Sequence, residues 1–173
     1  MGFCVATIKN GSFNLCVFPS IVICRSSITS NNAAWVLAGA LFISSIKTIF
    51  EKIVKREIPA YILLEDSHAI SFLDINPKSK GHLLVISKKP YQNILECPEN
   101  VLYSIIEMTK KATKLLEKTF NPVGFNTIVN HGELAGQEVP HFHIHVIPKH
   151  RGDQENSNDS LDIIHQLLLK DLL

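Results

Sequence analysis

The segment His141-Phe142-His143-Ile144-His145-Val146-Ile147 constrains this chain more than any other. Three histidines alternate with apolar residues, and side chains of an extended strand alternate between its two faces. Read as a strand, the segment puts three imidazoles on one face and Phe142, Ile144 and Val146 on the other. Such a strand belongs in a sheet that packs one face on an apolar core and lines the opposite face with imidazole. Eight histidines in 173 residues would give this spacing by chance in roughly 2 of 100 such chains.

Three chemical readings compete for the histidine row. In a metal site, a rise of about 3.3 Å per residue sets His141 and His145 roughly 13 Å apart at the backbone. Zinc holds its ligand nitrogens at about 2 Å, so two neighbouring imidazoles can converge on an ion, while a third ligand has to come from His82 or His131. A buried row without chemistry needs several satisfied hydrogen-bond partners. As a nucleophile, imidazole is largely neutral near pH 7 and offers a nitrogen lone pair. It can attack phosphorus and form a covalent phospho-histidine, dividing one difficult displacement into two easier ones. Its neighbours can fix the tautomer and protonate the leaving group. The segment Asn130-His131-Gly132-Glu133-Leu134-Ala135-Gly136-Gln137 leads into the row, and its two glycines let backbone N–H groups approach a phosphate. Donors placed beside a nucleophile are what phosphoryl chemistry requires.

The rest of the sequence sets the frame. A chain of 173 residues, 46% apolar and 19% charged, suffices for one globular domain with a core. The net charge of +1 hides an asymmetry. All 16 acidic residues lie from Glu51 onward, where 14 basic residues accompany them, a balance of −2. That weakly acidic region argues against a nucleic-acid platform. No C-x-x-C pair occurs, and Cys97 stands alone in the region after Lys47, which excludes a zinc ribbon and a disulfide scaffold and suits a reducing compartment. Residues 1–47 carry no acid and include the uncharged, mostly apolar run 33–46. A membrane span needs roughly 20 such residues, so this run is short. A targeting segment, an anchor, an additional buried helix and a mis-called start are the competing readings, and any membrane contact is expected only through 33–46.

From Lys47 the pattern becomes regular. Ile49 to Arg56 has helical spacing and Ile58-Pro59 is expected to stop it. Strands are expected over Tyr61–Glu65, Ala69–Asp74, His82–Ile86, Phe125–Asn130 and Val139–Pro148. A long amphipathic helix opens at Pro98-Glu99-Asn100 and ends at Asn121-Pro122-Val123-Gly124. Leu161–Leu172 reads as a terminal helix behind a polar tail. Strands joined by short turns around one long helix imply an α+β fold with an antiparallel sheet.

These residues resemble the histidine-triad (HIT) superfamily, whose motif His-φ-His-φ-His-φ-φ is met at every position from His141 to Ile147. The resemblance extends over about a hundred residues. Ile49-Phe50, Glu57-Ile58-Pro59-Ala60, Phe72-Leu73-Asp74-Ile75-Asn76-Pro77, Gly81-His82-Leu83-Leu84-Val85-Ile86, Val129-Asn130-x-Gly132 and Gly136-Gln137-x-Val139 are similar to the Hint-type branch in order and spacing. The resemblance implies a five-stranded antiparallel sheet with two main helices in a homodimer, and a domain over 48–150, between the extension 1–47 and the tail and helix of 151–173. It implies that His143 attacks the α-phosphate of a purine nucleotide, that His141 donates a proton or contacts phosphate, and that His145 and His82 orient the nucleophile. It places Asp74 on the ribose hydroxyls through two acceptor oxygens, although an aspartate before Asn-Pro also caps a turn. Asn130, Gly136, Gln137 and Glu138 would border the phosphates, and Ile49, Phe50, Ile53, Ile58, Phe72 and Ile75 would wall the base. Neither cofactor nor metal is implied.

Four departures stand out. Glu138 replaces a serine or threonine frequent in relatives, and its carboxylate would either repel phosphate or relay a proton. Pro90 occupies a position that often carries histidine. Thr48 and Glu51 replace the cysteine pair of zinc-containing relatives, so no structural zinc is expected. The tail from Pro148 to Asp153, followed by Asn158-Asp159-Ser160, is similar to the fragile-histidine-triad branch. The leading expectation is therefore hydrolysis of nucleoside phosphoramidates. Cleavage of dinucleoside polyphosphates and a nucleotide-binding scaffold with little catalysis are the alternatives. The core domain is expected in the cytoplasm, with organellar targeting or anchoring left to the extension.

Overall fold

The computed structural model describes residues 47–151 and 159–173 in full and, upstream, the backbone of two short strands. The apolar run 33–46 and the tail positions 152–158 lie outside the described residues. The chain divides between Ser45 and Ile46 into two units. In the first, β1 (Ile8–Lys9) pairs antiparallel with β2 (Ser12–Phe13).

The second unit contains α1 (Ile49–Val54), β3 (Ile62–Glu65), β4 (Ala69–Leu73), β5 (Leu83–Ser87), α2 (Glu99–Phe120), β6 (Gly124–Ile128), β7 (His143–Lys149) and α3 (Leu161–Leu172), with a 3-10 turn at Glu133–Ala135. The five strands β3 to β7 form one antiparallel sheet in the order β3-β4-β5-β7-β6. This is the expected α+β architecture, with a third, C-terminal helix added to the frame.

The alternation of side chains in β4, β5 and β7 builds two apolar clusters on opposite faces of the sheet. Ala69, Leu73, Leu83, Val85, Phe142, Ile144 and Val146 meet Val101, Ile105, Met108, Ala112, Leu115 and Leu116 of α2 and Ile164 and Leu168 of α3. The apolar positions of α2 recur at helical spacing along one side, which is why one long helix can seal this face. On the opposite face Ile70, Phe72, Leu84 and Ile86 meet Phe50 and Ile53 of α1. Register puts His143 beside Ile86 and His145 beside Leu84. Both histidines therefore lie on the α1 face, and the helices α2 and α3 cover the other.

Two elements depart from the sequence reading. The last strand begins at His143, four residues after Val139. Pro140 has no N–H to give to a ladder, and the N–H of His141 turns back to the carbonyl of Val139 at 2.8 Å. His141 thus precedes the strand instead of opening it. Helix α1 ends at Val54, well before Pro59. Arg56 adopts φ 60°, the N–H of Arg56 bonds the carbonyl of Ile53, and the N–H of Glu57 bonds that of Lys52. This pair of bonds is a Schellman stop with arginine in the left-handed position usually held by glycine.

Candidate active site

Each imidazole of the cluster can be assigned a tautomer from its partners, because carbonyl oxygens only accept and backbone N–H groups only donate. His143 Nδ1 lies 2.7 Å from the carbonyl oxygen of His141, so Nδ1 carries the hydrogen and Nε2 holds a lone pair. His141 Nε2 lies 2.7 Å from the carbonyl oxygen of Ser87, so its hydrogen is there, and its Nδ1 accepts from the hydroxyl of Thr48 at 3.0 Å. The backbone N–H of Lys78 donates to His82 Nδ1 at 3.2 Å. His82 Nε2–H then donates to His145 Nδ1 at 3.1 Å, which leaves hydrogen on His145 Nε2.

For His82, His141 and His145 the electrostatics agree with the neutral forms. Burial lowers the pKa of His82 to about 4, outweighing the upward pull of the Asp74 carboxylate. Burial also lowers His141 against the upward effect of its bond to Ser87. Burial and the neighbouring His143 lower His145. Phe50 of α1 packs edge-on against both His141 and His143, with ring centroids 5.6 and 5.3 Å away. His143 and His145 meet at 4.9 Å with their rings steeply inclined. Of the triad, His145 is the most open to solvent, His143 is 5% exposed and His141 is fully buried.

Comparison with known proteins gives the same reading. The HIT domain description matches residues 55–152, more than half of the chain. The chain belongs to the histidine-triad (HIT) family. It is 47% identical over 108 residues to an uncharacterized HIT-like protein of Methanocaldococcus jannaschii, covering 62% of this chain and 82% of that one. It is 40% identical over 105 residues to the adenosine 5'-monophosphoramidase HNT1 of Candida albicans, covering 58% of this chain and 69% of the relative. Among solved structures, a Hit-like protein involved in cell-cycle regulation from Bartonella henselae superposes with a TM-score of 0.66 at 30% identity, over 72% of this chain and 96% of that one.

Around the triad, the residues singled out in the sequence fall into three groups. Asp74 stands at the end of β4 with its Oδ2 3.4 Å from His82 Nδ1, while its Oδ1 accepts the N–H of Asn76 at 2.9 Å. Both roles read from the sequence are compatible, since a carboxylate has about four acceptor directions. In the loop ahead of β7, Asn130 Nδ2 donates to the carbonyl of Gly136, and Gln137 receives the N–H of Gly132 and donates to the carbonyls of Gln92 and Val139. Gly132 and Gly136 take φ of 88° and 84°, the conformations that let this loop close. Gln137 is therefore a brace for the loop, while Gly136 and Glu138 are exposed at its rim. Of the expected base-pocket residues, Phe50, Ile53 and Phe72 are buried and Ile58 is partly so, whereas Ile49 and Ile75 are 46% and 67% exposed.

His141 has both ring nitrogens engaged and its ring fully buried. Asp74, His82 and His145 place donor atoms within 4.8 Å of one another, the one such group among the described residues. They are strung along the His82 ring, however, with Asp74 at Nδ1 and His145 at Nε2, and two nitrogens of one imidazole point apart. In the assigned tautomer His82 Nδ1 has no hydrogen for Asp74, so the hydrogen-bond chain runs from the Lys78 N–H through His82 to His145 and leaves Asp74 beside it. Thr48 and Glu51 form a capping box at the start of α1, with Thr48 N–H to Glu51 Oε2 at 2.9 Å and Glu51 N–H to Thr48 Oγ1 at 3.2 Å. A cavity of about 470 Å³ at the end of α2, bordered by Phe120, Asn121, His150 and Arg151, shares no residue with the histidine cluster.

Three supporting groups were not found from sequence. The Thr48-x-x-Glu51 pattern signals a helix start, but nothing local shows that its hydroxyl reaches His141, 93 positions away. Ser87 and Lys78 act through their backbones, which leave no trace in residue type.

Proposed function

We propose that this protein hydrolyses nucleoside 5'-phosphoramidates through a nucleotidyl group carried covalently on His143. The observation that carries the reading is the bond from His143 Nδ1–H to the carbonyl of His141. It holds the nucleophile in the one neutral tautomer whose Nε2 lone pair is available to phosphorus. In the first step Nε2 forms a bond to the α-phosphorus, the phosphorus–nitrogen bond of the substrate breaks, and the amine leaves with an added proton. The Nε2–H of His145 has no protein partner among the described residues and supplies the hydrogen bond or proton nearest the departing group. The chain from Lys78 through His82 fixes that N–H in place. In the second step water attacks phosphorus, the phosphorus–Nε2 bond breaks, the proton lost by water returns to His145 Nε2 and the mononucleotide departs. Asp74 accepts from the ribose hydroxyls, and Phe50, Phe72 and the exposed Ile75 border the base. The phosphoramidase name of the Candida albicans relative supports the choice of leaving group.

A homodimer completes the reading. β6 is the terminal strand of the sheet, and Tyr103 and Ile106 are 70% and 56% exposed on α2. Sedimentation of the purified chain is expected to give twice the monomer mass.

The direct test is intact-protein mass after rapid quenching with a fluorogenic adenosine phosphoramidate, alongside steady-state amine release. The expected result is turnover with a transient adduct of one adenylyl group that His143→Ala abolishes. Cleavage of dinucleoside polyphosphates without phosphoramidate turnover would replace this reading, and AMP binding without turnover on either would leave a nucleotide-binding scaffold.

A further inference from the structure

We propose that Thr48 is a positioning residue for the nucleophile, acting through His141. The inference rests on the assignment of His143 as nucleophile and identifies what holds it in place.

The carbonyl that fixes the tautomer of His143 belongs to a residue outside the sheet ladder. β7 begins at His143, and its pairing with β5 starts at the couple Ile86 and His143. His141 is instead anchored through its ring, which is clamped at both nitrogens. One clamp is the Ser87 carbonyl at 2.7 Å and the other is the Thr48 hydroxyl at 3.0 Å. The Ser87 hydroxyl cannot replace Thr48, because it sits on the Nε2 side and already donates to the carbonyl of Lys89 at 2.8 Å. Thr48 is thus the one donor among the described residues that meets the His141 Nδ1 lone pair. With that donor present, the Nε2–H tautomer satisfies both nitrogens. Without it, Nδ1 becomes a buried acceptor with no partner, and shifting the hydrogen to Nδ1 would set two lone pairs facing each other at Ser87. Either outcome is unfavourable in a fully buried site.

Thr48 also joins this clamp to α1. Its hydroxyl oxygen accepts the N–H of Glu51 as the cap of that helix, two residues before Phe50, whose ring packs on His141 and His143. One hydroxyl therefore ties the helix over the site to the backbone that orients the nucleophile.

The test separates capping from positioning by using two substitutions. Aspartate is as good a helix cap as threonine, but its carboxylate can only accept, so Thr48→Asp keeps the cap and reverses the demand on His141 Nδ1. Thr48→Ser keeps both functions. Imidazole ¹⁵N shifts of the unliganded protein are expected to report Nε2–H for His141 in wild type and Thr48→Ser, and hydrogen on Nδ1 in Thr48→Asp. Thr48→Asp is further expected to lower the melting temperature through the mismatch at Ser87 and to hold KM within about twofold while kcat per folded molecule falls by about tenfold or more, the scale of a misplaced catalytic group. Unchanged kcat in Thr48→Asp, or hydrogen on Nδ1 of His141 in wild type, would overturn the proposal. The ¹⁵N spectra need no turnover, so they judge Thr48 even if the phosphoramidate reading fails. In the reverse case, an adenylyl adduct on His143 with indifferent Thr48 variants would sink only this inference.

Discussion

At the scale of single residues, burial pushes three imidazoles of the cluster, His82, His141 and His145, toward the neutral form. His82 shows the consequence most clearly. Its pKa is lowered from 6.5 to about 4 by burial. The native state therefore binds fewer protons than the unfolded state between those values, and stability falls as pH drops through that window. The full shift corresponds to about 3 kcal/mol at the acid end. His141 and His145 shift the same way, also chiefly from burial. Urea midpoints measured from pH 7 down to pH 5, above the main carboxylate range, are expected to fall steadily in wild type and to fall less in His82→Asn. A flat profile in wild type would show that these rings do not stay neutral in the fold. That His143, His145, His82 and Asp74 come together was legible in the sequence, because motif spacing exposes side chains that share a strand face or end a strand. The ring contacts of His141 were not, since they depend on where the ladder starts and on a hydroxyl distant in sequence.

At the scale of elements, the strands and helices followed from period and punctuation, while their ends depended on backbone geometry. Alternation marked the two faces of β4, β5 and β7, and the apolar spacing of α2 marked its buried side. The end of α1 was misplaced because arginine seldom occupies the left-handed position that closes a helix. That residue offers a test. Arg56→Gly removes a penalty of about 1 kcal/mol for φ of 60°, and it forfeits a largely exposed ion pair with Glu65, worth roughly 0–1 kcal/mol. Chemical denaturation is expected to show a stabilised variant with unchanged turnover, and a loss of stability would mean the ion pair outweighs the strain. Gly81, which directly precedes His82, gives the opposite case. Its φ is +82°, and an added Cβ would sit 2.8 Å from Leu116 of α2. Gly81→Ala is expected to destabilise by about 2–4 kcal/mol, combining backbone strain with overpacking. Because the shift would pass directly to His82, kcat should fall as well.

At the scale of the whole molecule, the sheet separates stability from chemistry. Among the described residues its histidine face meets the small helix α1 with Ile58, Ala60 and Val139 beside it, whereas the larger apolar cluster lies behind it under α2 and α3. The C-terminal helix joins that rear cluster through Ile164 and Leu168, which are 2% and 0% exposed, four positions apart and so on one side of the helix. It also closes the outer strand of the sheet. His165 Nε2–H donates to the carbonyl of Ile62 at 2.9 Å, and the Tyr61 hydroxyl donates to Asp162 at 3.0 Å. A carbonyl bonded by a side chain is no longer open to a neighbouring chain, which protects an edge that would otherwise invite pairing. If the two faces are independent, a cavity behind the sheet should weaken the fold and leave the triad untouched. Leu168→Ala is expected to lower unfolding free energy by about 2–5 kcal/mol, read from urea denaturation. Its kcat and KM per folded molecule should stay at wild-type values well below the melting temperature. A fall in kcat without matching loss of folded protein would mean that packing under α3 reaches through β5 and β7 to the imidazoles, and that the rear of the sheet helps to set the geometry of the site.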